Sequence, residues 1–145
     1  MFAPPQSGAQ GKRKGESVLI TISHLTKIFE GKGPRVTALE DVNLEIGKGD
    51  IYGIIGMSGA GKSTLLRCLT LLERPTSGQI MLAGQDIASL SGAQLRAARR
   101  GMGVVFQGYN LLMQKTVAEN VAFPLRLEKG YDKAAVQARV AELLA

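Results

Sequence analysis

The feature that most constrains this chain is a glycine-rich run at residues 56–63, which reads Gly-Met-Ser-Gly-Ala-Gly-Lys-Ser. It has the form glycine, four residues, glycine, lysine and a hydroxyl residue, which is the pattern of a phosphate-binding loop. An apolar segment at residues 50–55 precedes it, and helix-forming residues with regularly spaced leucines follow at 62–72. The pattern therefore predicts a strand, a glycine-rich loop and a helix in direct succession.

Each residue type in this run has a chemical reason to bind phosphate. Glycine permits positive φ and lets main-chain amides approach an anion without a Cβ in between. The start of the helix adds roughly half a positive charge, and Lys62 adds a full one for the β- and γ-phosphates. Ser63 is suited to ligate Mg²⁺, and Thr64 to reach the α-phosphate. The residues predicted to bind ATP and its Mg²⁺ are Gly56, Met57, Ser58, Gly59, Ala60, Gly61, Lys62, Ser63 and Thr64.

Alternating apolar residues predict an antiparallel pair of strands before the loop. One strand lies at residues 18–22 and the other at 42–46, with turn-forming residues at 31–34 between them. Residues 50–55 become apolar on both faces, which indicates a buried central strand of a parallel sheet. Further strands are predicted at residues 80–82 and 102–106.

Capping patterns predict two more helices after the one that follows the loop, and an apolar face predicts a third. Ser91, with a glutamine three residues later, indicates a short basic helix. Thr116 and Glu119 form a second capping-box pattern, and Pro124 is expected to kink or end that helix. The last helix is predicted to begin near Asp132. Its apolar face contains Val136, Val140, Leu143 and Leu144.

Composition narrows the class of protein without naming a function. A chain of 145 residues with 45% hydrophobic and 21% charged residues has room for one globular domain. The net charge of +6 allows an anionic partner, but part of it lies in residues 1–17, which we expect to form a disordered leader. No apolar run is long enough to cross a bilayer, so we expect a cytosolic chain. The lone Cys68 is expected to be a buried small hydrophobe.

Beyond the loop, the sequence resembles the ATP-binding subunits of ABC transporters, and among them the methionine importers. The resemblance includes Ile-Tyr-Gly-Ile-Ile-Gly at residues 51–56 and Leu-Leu-Glu-Arg-Pro-Thr-Ser-Gly at 71–78. It continues with Ala-Arg-Arg-Gly-Met-Gly-Val-Val-Phe-Gln at 98–107, Tyr-Asn-Leu-Leu at 109–112 and Asn-Val-Ala-Phe-Pro-Leu at 120–125. These phrases cover most of the chain from residue 18 onward.

The resemblance implies an α/β fold, that of a P-loop NTPase of the ABC ATPase type. Such a fold has an N-terminal antiparallel β subdomain, a partial parallel core sheet and the start of a helical subdomain. Residues 18–145 are then expected to be the N-terminal part of the ATP-binding domain, truncated before its signature loop.

The resemblance also implies roles for two residues outside the phosphate loop. Gln107 matches the Q-loop glutamine, which meets Mg²⁺ and the attacking water and acts in catalysis together with Lys62. Phe29 matches the A-loop aromatic residue, which stacks on adenine. From their sequence positions alone, Gln107 would be interpreted as a loop residue and Phe29 as a core residue.

The function that the resemblance implies is ATP hydrolysis that energises methionine import across the cytoplasmic membrane. The implied partners are an integral membrane permease docking near Gln107, a second copy of the ATPase subunit and, indirectly, a solute-binding protein. No nucleic-acid partner is expected. The implied location is the cytoplasmic face of the cell membrane, as a peripheral subunit.

The sequence departs from the family pattern in ways that affect these expectations. It contains no Leu-Ser-Gly-Gly-Gln signature, no apolar strand ending in paired acids and no switch histidine, since His24 lies before the phosphate loop. We therefore expect His24 to be a surface or packing residue. From these 145 residues alone we expect weak nucleotide binding, little or no turnover and exposed apolar surface near residues 50–55.

Three alternative functions stay open from the sequence. A polar amino acid importer ATPase shares many of the same sequence motifs. An ABC-type ATP-binding module without a membrane partner would share the phosphate loop. A soluble P-loop kinase or GTPase is the third. The long resemblance after the loop helix opposes it, and the Asn-Lys-x-Asp phrase by which GTPases bind guanine is absent from the sequence.

Overall fold

A computed structural model describes residues 18–31, 33–127 and 130–145 of the chain. These residues form two compact units, with the division between Val104 and Val105. The predicted leader at residues 1–17, and Lys32 in the predicted turn, lie outside the described residues.

The first unit contains a four-stranded antiparallel sheet with the strand order β2-β1-β3-β4. Ile20 pairs with Ile46 and Ile22 with Leu44, so the predicted antiparallel pairing before the phosphate loop is confirmed. The predicted strand at 80–82 is also confirmed, although it begins three residues earlier. The strands are β1 Val18–Phe29, β2 Val36–Gly47, β3 Ser77–Leu82 and β4 Gln85–Asp86.

The core of the first unit lies between this sheet and the helix that follows the phosphate loop. Ile22, Leu25 and Ile80 are fully or almost fully buried on the sheet, and Leu65 with Cys68 belongs to the same apolar cluster. Burial raises the pKa of the Cys68 thiol, because the apolar surroundings disfavour the thiolate. Cys68 is thus the buried small hydrophobe that the sequence predicts.

A bulge interrupts β1 at His24, which has a φ of 52°. The Asn43 side chain accepts a hydrogen bond from the His24 amide at 2.7 Å, and the exposed His24 ring lies 2.7 Å from the Asp41 carboxylate. The hydrogen bond with His24 lowers the pKa of Asp41. His24 is therefore a surface residue, as predicted.

The prediction of strands at residues 50–55 and 102–106 is wrong, because neither segment is a strand in the described structure. Ile51, Ile55 and Val105 are fully exposed. A central parallel strand needs a hydrogen-bonded neighbour on each side. None of the described segments supplies one, so the expected partial parallel core sheet does not form in this part of the chain. The expectation of exposed apolar surface here is confirmed.

The described helices are α1 Lys62–Leu69, α2 Gly92–Arg100, α3 Val117–Arg126 and α4 Lys133–Leu144. Within the described residues, no helix has the length and apolar character needed to cross a membrane. Helix α1 ends before the predicted Leu72. Helix α2 begins after Ser91 as predicted, but the serine hydroxyl makes no cap hydrogen bond, so that capping box is wrong.

The second unit contains helices α3 and α4, and the sequence predicts where both of them begin. Asp132 caps α4 by accepting hydrogen bonds from the amides of Ala134 and Ala135. Ala122 of α3 packs in a small cluster with Val136 and Val140 of α4. Two further residues of the predicted apolar face, Leu143 and Leu144, are exposed.

Pro124 does not end α3, because the helix continues for two residues to Arg126. The missing proline N–H lies close to the C-terminal end, where the loss of one hydrogen bond affects little of the helix. The Leu127 amide still donates to the Pro124 carbonyl at 3.1 Å and closes the last turn.

The predicted capping box at the start of α3 is confirmed. The Thr116 amide donates to the Glu119 carboxylate at 2.9 Å, and the Glu119 amide donates to the Thr116 hydroxyl at 3.2 Å. The hydrogen bond from the Thr116 backbone, followed by that from Lys115, lowers the pKa of Glu119. The carboxylate is therefore more stable in the folded chain than in the unfolded one.

We expect this capping box to make the stability of α3 depend on pH. With a lowered folded-state pKa, the contribution of Glu119 is fully present above its unfolded pKa and is lost as pH falls through the folded value. The Glu119→Gln variant should melt below wild type at pH 6, and the difference should shrink at pH 3. Thermal melts followed by circular dichroism measure this, with Glu142→Gln in α4 as the charge-matched control. An equal difference at both pH values would contradict it.

Candidate phosphate-binding site

The predicted phosphate loop is an exposed turn between residue 55 and the start of α1. The Ala60 amide donates to the Met57 carbonyl at 3.2 Å and closes the turn. Gly59 and Gly61 both have a φ of 82°, a conformation that L-residues with a Cβ rarely adopt. The glycine spacing therefore produces a turn that brings the chain directly into a helix.

Gly61 is the residue that joins the loop, the helix and the sheet. It is the N-cap of α1, and the Leu65 amide donates to its carbonyl at 2.8 Å. A Cβ at this position would lie 2.5 Å from the Ala38 carbonyl oxygen and 3.0 Å from Leu39 Cδ2 on β2. Only glycine permits this close approach, which holds the start of α1 against the sheet.

Among the described residues, no side chain caps the N-terminus of α1. Its cap residue is glycine, and its first turn contains no acidic residue. In contrast, Glu119 lies in the first turn of α3 and Asp132 caps α4. The first amides of a helix have no acceptor within the helix. The amides at the start of α1, on Lys62, Ser63 and Thr64, are therefore left for an anion, and the helix dipole favours one there.

The Lys62 side chain folds back over the loop. Its ammonium group donates hydrogen bonds to the Gly56 and Met57 carbonyls, each at 2.7 Å. An ammonium group has three donors, so these two contacts leave one. The loop thus holds a full positive charge beside the open end of α1, in an exposed position that a ligand in solution can reach.

Two hydroxyl groups follow Lys62 in the first turn of α1. Ser63 is exposed and Thr64 is half-buried. The described residues contain no group of three or more His, Cys, Asp or Glu side chains that could hold a metal ion. Proteins commonly bind Mg²⁺ with nucleotide through one or two side chains plus phosphate oxygens. An exposed serine hydroxyl beside a phosphate site fits that kind of coordination.

Phe29, the predicted adenine-stacking residue, ends β1 and keeps 38% of its surface exposed. That exposure disagrees with the alternative of a core residue. The Lys27 ammonium lies 4.8 Å from the centroid of the Phe29 ring. The sequence reasoning missed Lys27, although its position two residues before Phe29 placed both side chains on one face of a strand.

Gln107, predicted from the resemblance to meet Mg²⁺ and the attacking water, lies in the second unit. Its side chain is exposed. The phosphate loop belongs to the first unit. The role of Gln107 therefore stays a prediction.

Comparison with known proteins identifies the family. A family model described as ABC transporter matches residues 39–145, which is most of the chain. The chain therefore belongs to the ABC transporter family. Its fold class, an α/β P-loop NTPase with an N-terminal antiparallel β subdomain, is confirmed by solved structures of ATP-binding cassettes. The dimeric cassette MJ0796 bound to ADP and Pi has a TM-score of 0.79 and 32% identity, covering 87% of this chain and 56% of that one.

Curated relatives are more similar still in sequence. The methionine import ATP-binding protein MetN of Desulfitobacterium hafniense is 51% identical over 87% of this chain and 37% of its own length. MetN of Mannheimia succiniciproducens is 53% identical over 88% of this chain and 36% of its own length. The chain thus spans little more than a third of the length of these relatives.

Proposed function

We propose that residues 56–64 bind the triphosphate of Mg-ATP in an ATPase subunit that energises methionine import. The proposed phosphate binding depends on one observation: the start of α1 has no side-chain cap, and the Lys62 ammonium lies beside it. A triphosphate carries three to four negative charges near neutral pH. Free amides, a helix dipole and an ammonium group on one short segment complement that charge.

Mg²⁺, when bound with the nucleotide, neutralises phosphate charge and polarises the phosphoryl oxygens. In the phosphate loop, Ser63 would hold it through its hydroxyl, and a contact of Gln107 with Mg²⁺ stays an expectation from the family resemblance. The Lys62 ammonium would exchange its carbonyl partners for phosphate oxygens, which are stronger acceptors because they are charged. Phe29 would stack on adenine at the end of β1.

The methionine part of the proposal rests on relatives. Proteins at 51% and 53% identity are named as methionine import ATP-binding proteins. Residues 18–145 would then be the N-terminal part of an ABC-type ATP-binding domain, which works with a second copy of the subunit and a membrane permease at the cytoplasmic face. We expect cells that lack the gene to take up less labelled methionine. A loss of histidine or glutamine uptake instead would support a polar amino acid importer.

Titration with ATP in Mg²⁺ and in EDTA tests the nucleotide site directly. We expect the Ser63→Ala variant to bind Mg-ATP about tenfold more weakly than wild type, since it loses a metal ligand. In EDTA the two proteins should bind ATP equally. Ser91→Ala is the matched control, because Ser91 lies at the start of another helix and its hydroxyl makes no cap hydrogen bond. The absence of ATP binding by folded wild-type protein would overturn the proposed function.

A further inference from the structure

Lys27 is a buried charged residue in the middle of the first unit, with 9% of its surface exposed. Its ammonium group donates to the Glu73 carboxylate at 2.6 Å and to the Arg74 carbonyl at 2.8 Å. A buried ammonium is costly unless it is paired and hydrogen-bonded. These two contacts therefore hold the charge at one point between β1 and the segment after α1.

The partners of Lys27 are themselves held in place. The Arg74 guanidinium donates to the Leu90 carbonyl at 3.0 Å and lies 3.4 Å from the Ala88 carbonyl. The Glu73 amide donates to the Arg67 carbonyl of α1 at 3.1 Å. Residues 73–74, which bind the ammonium, thus follow soon after α1, and the other end of α1 adjoins the phosphate loop.

The third group beside the ammonium is the Phe29 ring, with its centroid 4.8 Å away. A cation at this distance is attracted to the face of an aromatic ring. Because Glu73 and Arg74 fix the cation, the attraction restricts the orientation of the ring. Phe29 is at the end of β1 and more than a third exposed, so a planar group in solution can still reach it.

We propose that Lys27 is a positioning residue for the base of the nucleotide, holding the Phe29 ring in the orientation that stacks on adenine. This inference rests on the proposed function. The base subsite then consists of the ring, the ammonium and the Glu73 carboxylate that fixes the ammonium. Through the hydrogen bond from the Glu73 amide to the Arg67 carbonyl, the subsite is joined to α1, the helix that begins at the phosphate loop.

The positioning role of Lys27 predicts different effects on the binding of ligands that have a base and of ligands that have only phosphates. Stacking on an aromatic ring acts on the base and is tolerant of its identity. Loss of Lys27 should therefore weaken binding of Mg-ATP and leave binding of Mg-tripolyphosphate unchanged. A loss of fold or of the phosphate loop would weaken both.

The test is calorimetric titration of the full chain with Mg-ATP and with Mg-tripolyphosphate. We expect Phe29→Ala to weaken ATP binding about fivefold to a hundredfold, and Lys27→Met about threefold to thirtyfold. Tripolyphosphate binding should change in neither variant. Lys27→Arg keeps a cation over the ring and should restore most of the ATP affinity.

Two further variants keep the test decisive. Ile22→Val weakens the same strand without touching the ring and should leave the ratio of the two affinities unchanged. If Lys27→Met does not fold, Glu73→Gln replaces the charged partner of the ammonium with a neutral one and should also weaken ATP binding selectively.

Three results would contradict either the proposed function or the positioning role of Lys27. Failure of wild type to bind either ligand defeats the proposed function itself. If Phe29→Ala weakens ATP binding and folded Lys27→Met does not, the positioning role is overturned. Equal weakening of both ligands by Lys27→Met also overturns it, because the residue would then only stabilise the fold.

Discussion

Replacing Lys62 with alanine is expected to weaken Mg-ATP binding about tenfold to a hundredfold. The variant loses a charge-assisted contact to phosphate, worth about 1.5–3 kcal/mol. The ammonium group is already at the entrance of the loop, where it donates to the Gly56 and Met57 carbonyls at 2.7 Å. When the ammonium exchanges these carbonyl partners for phosphate oxygens, it gains charged acceptors in place of neutral ones, and this difference contributes to affinity.

The measurement is titration of wild type and Lys62→Ala with a fluorescent ATP analogue in Mg²⁺. Lys48→Ala is the charge-matched control, since it removes one positive charge from the exposed turn after β2. If the effect of Lys62 came from net charge, both variants would lose affinity equally and the loss would disappear at high salt. Unchanged affinity in Lys62→Ala would remove Lys62 from the site.

The phosphate loop was predictable from sequence because its geometry is local. The positive φ at Gly59 and Gly61, the turn and the helix start all follow from residues within one short segment. The same holds for the capping box at Thr116 and the cap at Asp132. Where the partners are three residues apart, the sequence pattern and the structure agree, with Ser91 as the exception.

Features that depend on distant partners were not predictable in the same way. Residues 50–55 have the composition of a buried strand, but a strand forms only when another segment pairs with it. Lys27 has the composition of a surface residue, and its burial depends on Glu73, which lies 46 residues later. The apolar pattern indicates which residues avoid water, and it does not identify the segment that covers them.

The resemblance to ABC transporters added what local patterns could not. It selected Phe29 among four phenylalanines and Gln107 among the glutamines of the chain. The structure adds the exposure of Phe29 and the cation beside its ring. Neither the composition nor the spacing of the sequence contains that pairing.

The two glycines with the same φ in the loop allow the steric and conformational contributions to be separated. Gly59 and Gly61 both have a φ of 82°, so an alanine at either position incurs the cost of a left-handed conformation, about 1 kcal/mol. A Cβ at Gly59 meets open space, whereas one at Gly61 lies 2.5 Å from the Ala38 carbonyl oxygen. Gly61→Ala therefore also forces α1 away from β2.

We expect Gly61→Ala to lower the free energy of unfolding by about 2–4 kcal/mol, against about 1 kcal/mol for Gly59→Ala. Urea unfolding of the full chain without nucleotide, followed by circular dichroism, measures both values. The difference between the two variants is the cost of displacing the helix from the sheet, because the conformational cost is common to both. Equal destabilisation would mean that the contact between Gly61 and β2 does not hold the start of α1, and the open helix end would then lack its support.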